Sequence, residues 1–230
     1  MSLRIGCDLD GVLADFAKAY HEVEVRLFGR EESARAGNPE DQDDQSEPSE
    51  ERTPPDAARR HRRRSDAVWA AIKATPDFWM GLRPIEPDAV RRLHALMLEH
   101  RWEVFFITQR PPTVGDTVQR QTQRWLIAQG FDMPSVLVIP GSRGAAAAAL
   151  SLHYHMDDSA TNCVDIKSES KARPIMIIGD DDPVEVASAR RLGIGTASGV
   201  GLALDILAKA SAAQSRPRVL QQIAQMVGWK

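Results

Sequence analysis

Near the start of the chain an apolar run, Leu3-Arg4-Ile5-Gly6-Cys7, gives way to Asp8-Leu9-Asp10-Gly11-Val12-Leu13. The run reads as a buried strand with two carboxylates, Asp8 and Asp10, at its carboxyl end. Residues two apart in an extended chain point to one side, so both acids face whatever lies beyond the strand and Leu9 turns back into the core. Open α/β sheets bind ligands at such strand ends, and Gly11 permits the sharp backbone departure that follows. Like charges held so close are costly without a cation or a shared proton. The chemical reading is a divalent-metal site in which one carboxylate attacks phosphorus and the other handles a proton. As a bare D-x-D, however, the pair is better read as two solvated aspartates before a turn.

The rest of the chain alternates helical and extended patterns. Helical periodicity marks residues 16–28, 87–100, 115–129, 143–150 and 184–192, and a long C-terminal segment. Short apolar runs mark strands at 102–107, 136–139, 152–156 and 175–178. The unbroken run ending in Phe105-Phe106-Ile107 suits a parallel strand covered on both faces. Strands alternating with helices predict an α/β fold with a doubly wound parallel sheet. The fourth strand should lie beside the first, with the fifth one place further out.

Between residues 30 and 66 the character changes. Glu, Asp, Gln, Ser, Pro and Gly dominate 31–51, Thr53-Pro54-Pro55 breaks any regular element, and Arg59-Arg60-His61-Arg62-Arg63-Arg64 follows. Almost no apolar residue there is larger than alanine, so burial cannot offset the ordering entropy. This predicts a disordered, charge-segregated insertion. Its basic cluster is either solvated, paired with the acidic run, or a contact for nucleic acid. Order should return in a short helix from Ala67 and in the apolar group Phe78-Trp79-Met80, read as hinge packing.

Composition narrows the function classes. A net charge of −3 calls for neither nucleic acid nor a membrane surface. Two cysteines, Cys7 and Cys163, make no disulfide framework and fit reduced thiols in a cytoplasmic protein. The N-terminal stretch lacks a signal-peptide core, and no apolar run approaches membrane-spanning length.

Three further strand ends carry chemistry. Thr108-Gln109-Arg110-Pro111 ends the second strand; a Thr hydroxyl with neighbouring N–H groups can bind a phosphoryl oxygen, although such a Thr is more often a cap. Asp157-Asp158 ends the fourth, and Asp180-Asp181-Asp182 the fifth. Oxygen donors without a Cys or His set point to a hard cation. His153 and His155 alternate with Tyr154; packing or a rim hydrogen bond is a commoner use for them than a metal pair.

The string from Asp8 to Leu13 resembles motif I of the haloacid dehalogenase (HAD) superfamily, and with Ala14-Asp15-Phe16 it is most similar to the 5'-nucleotidase (deoxyribonucleotidase) branch. The resemblance implies a HAD-like core over 1–15 and 85–230, with a small helical cap over 16–84 inserted after the first strand. It implies a Mg²⁺-dependent phosphomonoester hydrolase, with Asp8 as nucleophile and Asp10 as general acid/base, acting on a nucleotide or similar small phosphorylated substrate. Thr108 matches the motif II hydroxyl, and Ile107 to Pro111 resembles the branch's Thr-x-Arg-Pro form, which places Thr108, Gln109 and Arg110 at the substrate. Asp8, the Asp10 carbonyl and Asp157 would hold Mg²⁺, with Asp158 supporting. The motif III lysine, counted back from Asp157-Asp158, falls on Arg143. Arginine keeps the charge but is not interchangeable with lysine; Lys167 and Lys171 are the alternatives. Asp180 to Asp182 reads as a polar turn and helix cap. The rival expectations are a polynucleotide-end 3'-phosphatase and a non-catalytic binding protein on the same scaffold.

Overall fold

The computed structural model describes residues 2–29, 55–179, 182–213 and 225–229. Among them six strands form one parallel sheet: β1 (Arg4–Cys7), β2 (Glu103–Thr108), β3 (Ser135–Val138), β4 (Tyr154–Asp157), β5 (Arg173–Ile177) and β6 (Gly195–Ala197), in the order β3-β2-β1-β4-β5-β6. The helices are α1 (Phe16–Phe28), α2 (Pro55–Ala74), α3 (Ala89–His100), α4 (Val118–Ala128), α5 (Arg143–Ala149), α6 (Ala160–Glu169), α7 (Pro183–Arg191) and α8 (Val200–Ala213). The doubly wound α/β sheet is as expected, with β4 beside β1 and β5 outside it. The short strand β6 was not anticipated; Gly-Thr-Ala carries no apolar run.

Alternation along each strand separates two packed layers. Ile5, Cys7 and Leu9 join Val104, Phe106, Tyr154, Met156 and Ile175 in one layer, covered by Leu93 of α3, Trp125 of α4 and Leu204 and Leu207 of α8. Ile107 faces the opposite side, with Ala147 of α5 and Ile166 of α6. Met176 lies there too, with Cys163 and Ala189. By the same period of two, Gly6, Asp8, His155 and Asp157 all belong to the α5–α6 side.

The segment that follows β1 carries two helices, α1 and α2. The chain leaves and re-enters the core through paired segments: the Asp15 N–H donates to the Arg83 carbonyl and the Ile85 N–H to the Leu13 carbonyl, both at 2.9 Å. Phe16 stacks on Trp69 at 5.4 Å and tilts against Trp79 at 5.6 Å, so Trp79 is packed in the hinge.

The disordered insertion expected over 30–66 is corrected in its final part. Residues 30–54 lie outside the described residues, whereas 55–66 belong to α2. Arginine and alanine are strong helix formers, and the distal half of α2 is anchored, with Val68 and Ile72 buried against Tyr20 and Val23. Arg64 also reaches the buried Glu24 at 2.7 Å and lies over the Phe28 ring at 4.5 Å. Helix propagates back from those anchors through the basic cluster.

Both cysteines are free and buried. Burial first, and then the charges of nearby aspartates, push both thiols well above the ordinary value of 9.0. The native state therefore holds these protons more tightly than the unfolded chain, and stability falls as pH rises past that value. Ellman's reagent at pH 8 should find no reactive thiol in the native protein and two after denaturation; rapid native labelling would contradict the packing of both.

Candidate active site

Asp8 is the first residue beyond β1, and its N–H donates to the Met156 carbonyl at 2.9 Å, extending the ladder with β4. That bond brings Asp8 beside Asp157, the last residue of β4. Asp158 completes a trio: Asp8, Asp157 and Asp158 each offer a carboxylate oxygen, all within 4.8 Å of one another. Gly11 makes room for the third member. It has φ +76°, and a Cβ on it would fall 1.6 Å from Asp158 Oδ2.

Arg143 enters from the start of α5. Ser142 caps that helix by accepting the Ala145 N–H at 2.9 Å, while Asp165 Oδ2 accepts the Gly144 N–H at 2.9 Å and lies 2.7 Å from Ser142 Oγ. A Cβ on Gly144 would fall 2.3 Å from the Asp165 carbonyl, so glycine permits this close approach of α5 and α6. So held, Arg143 is 4% exposed and donates from Nη2 to Asp8 Oδ1 at 2.6 Å. Its Nε lies 3.9 Å from Asp157 Oδ2. Nε and Nη1 have no hydrogen-bond partner among the described residues.

The two buried acids are driven apart. Burial pushes the Asp8 carboxyl well above the usual range, Arg143 opposes this, and the charges of Asp157, Asp158 and Asp10 reinforce it. Burial acts the same way on Asp157, but the His155 ring, Arg143 and the Asn162 amide outweigh it and hold Asp157 below its ordinary value. Three clustered carboxylates against one arginine leave excess negative charge in a desolvated place. All-oxygen donors with that excess suit a hard divalent cation such as Mg²⁺, and Asp8, Asp157 and Asp158 are the side chains placed to hold it.

The Asp10 carboxylate is not a member of the trio, although its charge acts on Asp8. That carboxylate is forked by Arg110, whose Nε lies 2.8 Å from Oδ2 and Nη2 2.7 Å from Oδ1. Arg110 Nη1 donates to Thr122 Oγ1 at 3.1 Å, and its guanidinium lies 4.9 Å from the centre of the Trp79 ring. The Arg110 side chain is 1% exposed. The resemblance places Arg110 at the substrate; in the structure its buried side chain is bonded to Asp10 and Thr122.

The parallel six-stranded sheet, in the order β3-β2-β1-β4-β5-β6, decides the fold. A solved structure from Thermotoga maritima, assigned as a beta-phosphoglucomutase, is 15% identical and matches with TM-score 0.55, over 89% of this chain and 98% of that one. A haloacid dehalogenase-like hydrolase from Burkholderia xenovorans is 16% identical, with TM-score 0.49 over 93% and 97% of the two chains. The chain shares the α/β fold of the Thermotoga maritima structure. No family model matches the sequence, and no curated protein matches it. At such identities the likeness extends to the fold, and residue roles in this chain rest on its own geometry.

The other residues singled out by sequence disperse around the trio. Thr108 is buried at the end of β2, where its Oγ1 accepts the Arg110 N–H at 3.3 Å and shapes the turn. Gln109 is exposed and donates to the Gly141 carbonyl at 2.9 Å. Lys167 donates to the Leu192 and Gly193 carbonyls at 2.5 and 3.1 Å, and Lys171 is exposed, so neither accompanies Asp8. Asp182 accepts the Glu185 N–H at 2.9 Å as a helix cap; Asp180 and Asp181 lie outside the described residues. His153 Nδ1 accepts the Arg4 N–H at 2.9 Å. His155 is the residue that sequence reasoning undervalued. Its ring is fully buried and meets Asp157 Oδ2 at 3.1 Å, and its spacing of two before Asp157 was the available signal. Among the described residues no helix is long and apolar enough to cross a membrane.

Proposed function

We propose that this chain is a phosphomonoester hydrolase in which Asp8 is the nucleophile, acting on a nucleotide or similar small phosphorylated metabolite. The observation that carries the reading is the Arg143 guanidinium. It is buried, bonded to Asp8 at 2.6 Å, and retains unpartnered Nε and Nη1 donors beside that carboxylate. A transferring phosphoryl group needs such preorganised donors next to its attacking oxygen. Asp8 forms a bond to phosphorus as the ester bond breaks, and the leaving oxygen takes a proton from Asp10. Water then attacks the aspartyl-phosphate and gives its proton to Asp10, and the Asp8–phosphorus bond breaks to release phosphate. Mg²⁺, held by Asp8, Asp157 and Asp158 with the Asp10 carbonyl, supplies countercharge for the phosphoryl oxygens when bound. The cap limits access of bulk water. Phosphate release from a panel of phosphomonoesters, with and without Mg²⁺, tests the proposal; no turnover of any member would refute it and favour a non-catalytic binding role.

A second reading, a polynucleotide-end 3'-phosphatase, draws support from Arg59, Arg62 and Arg63, which lie exposed on α2 of the cap. It requires nucleic-acid affinity that falls steeply with salt.

Arg110 separates two roles cleanly. Because its fork holds the proton-handling carboxylate, Arg110→Met should lower kcat at least tenfold with KM nearly unchanged. Steady-state kinetics on the best substrate provides the check. A rise in KM at constant kcat would instead return Arg110 to the substrate, as the sequence suggests.

A further inference from the structure

His155 has no part in the phosphoryl chemistry above, yet two strands are built around it. It sits on β4 opposite Gly6 of β1, its register partner. Its ring lies over that glycine: a Cβ on Gly6 would fall 2.1 Å from His155 Nδ1. Glycine in the middle of a strand costs conformational entropy and packs nothing of its own. The same Nδ1 is buried with no hydrogen-bond partner among the described residues, a second cost. An apolar residue at 155 would avoid the second cost. What the imidazole provides is Nε2, which can face a carboxylate oxygen only as an N–H donor, and it meets Asp157 Oδ2 at 3.1 Å.

The partners of Asp157 show what that donor does. Oδ1 accepts from the Asn162 amide at 3.0 Å and the Ser159 N–H at 3.1 Å. Oδ2 accepts from His155, and its next cationic neighbour is Arg143 Nε at 3.9 Å. Without the imidazole, Oδ2 would be the natural acceptor for that unpartnered Nε. The carboxylate would turn toward Arg143 Nε, and Arg143 would lose a free donor.

We infer that His155 is a positioning residue: it holds Asp157 in the orientation that binds the cation and keeps Arg143 Nε free for the phosphoryl group. The inference rests on the cation-dependent reading proposed above. Donors behind a metal-ligating side chain typically matter ten- to a hundredfold in metal affinity.

The test is calorimetric titration of Mg²⁺ alone into the full chain, comparing the parent with His155→Gln, His155→Met and His155→Asn. Glutamine places an amide N–H near the position of Nε2; methionine fills the space without a donor; asparagine is polar but too short. Glutamine should bind Mg²⁺ within about threefold of the parent, and methionine and asparagine about tenfold or more weakly. Metal-free melting temperatures report packing separately, so a variant that folds but binds poorly cannot be dismissed as a damaged core. If methionine and asparagine bind as tightly as the parent, His155 only fills space over Gly6 and the inference fails. If the parent itself takes up no Mg²⁺, the cation-dependent reading fails first and takes this inference with it.

Discussion

Asp8→Asn should abolish turnover and leave the protein folded. Asparagine matches aspartate in size and can still accept from Arg143 Nη2, the contact made at 2.6 Å in the parent. What it lacks is the anionic oxygen proposed to attack phosphorus. Loss of a covalent nucleophile removes nearly all of the catalysis, on the order of a millionfold in turnover. Stability should behave differently. Ionised Asp8 is disfavoured in the native state by its burial and by the neighbouring aspartates, so a neutral amide there relieves part of that cost. It also leaves Arg143 with less countercharge, which offsets the gain. The melting temperature of Asp8→Asn should therefore stay within a few degrees of the parent's, while phosphate release falls below detection. A variant that turns over at near-parent rate would remove Asp8 from the chemistry; one that unfolds would show a structural role for the carboxylate.

That Asp8 lies beside Asp157 was legible because parallel sheets obey simple geometry. A buried strand ending in acids and a second strand ending in acids, adjacent in the order, must place those acids together. The partner of the Asp10 side chain was not legible, for an equally physical reason. The period of two holds only while the backbone stays extended, and the strand ends at Cys7, before a turn at Gly11 with φ +76°. Two residues on, the side chain answers to Arg110, which stands 100 positions away. Arg110 itself shows what a single sequence hides: an arginine beside a proline in a loop carries no mark of its burial under Trp79. The basic run on α2 misled in the opposite direction. Its polarity suggested disorder, but helix propensity and anchors at Val68 and Ile72 outweighed it, and one of its arginines pairs with a buried glutamate. For His155 the spacing of two before Asp157 was a weak signal, and the glycine beneath its ring gives it weight.

Arg143 carries the greatest consequence after Asp8, because it stands where the resemblance leads one to expect lysine. The guanidinium meets Asp8 at 2.6 Å, approaches Asp157 to 3.9 Å, and is 4% exposed. Arg143→Ala leaves three clustered carboxylates with no cationic side chain bonded to Asp8, and removes the free Nε and Nη1 donors proposed to face the phosphoryl group. By analogy with lost transition-state donors this is on the order of 2–4 kcal/mol, so turnover should fall roughly a hundredfold or more. Arg143→Lys keeps a charge that can pair with Asp8 but presents one nitrogen in place of a planar fork. Its turnover should stay within about tenfold of the parent's, with the greater loss in alanine. The comparison is kcat for both variants on the best substrate found, at saturating Mg²⁺. A harmless alanine would leave Arg143 as no more than the first residue of α5. The countercharge would then have to come from the divalent cation alone, because Lys167 is tied to the Leu192 and Gly193 carbonyls. If alanine and lysine fail equally, the fork geometry and not the charge is what the site requires, and the arginine is a functional departure from the lysine form.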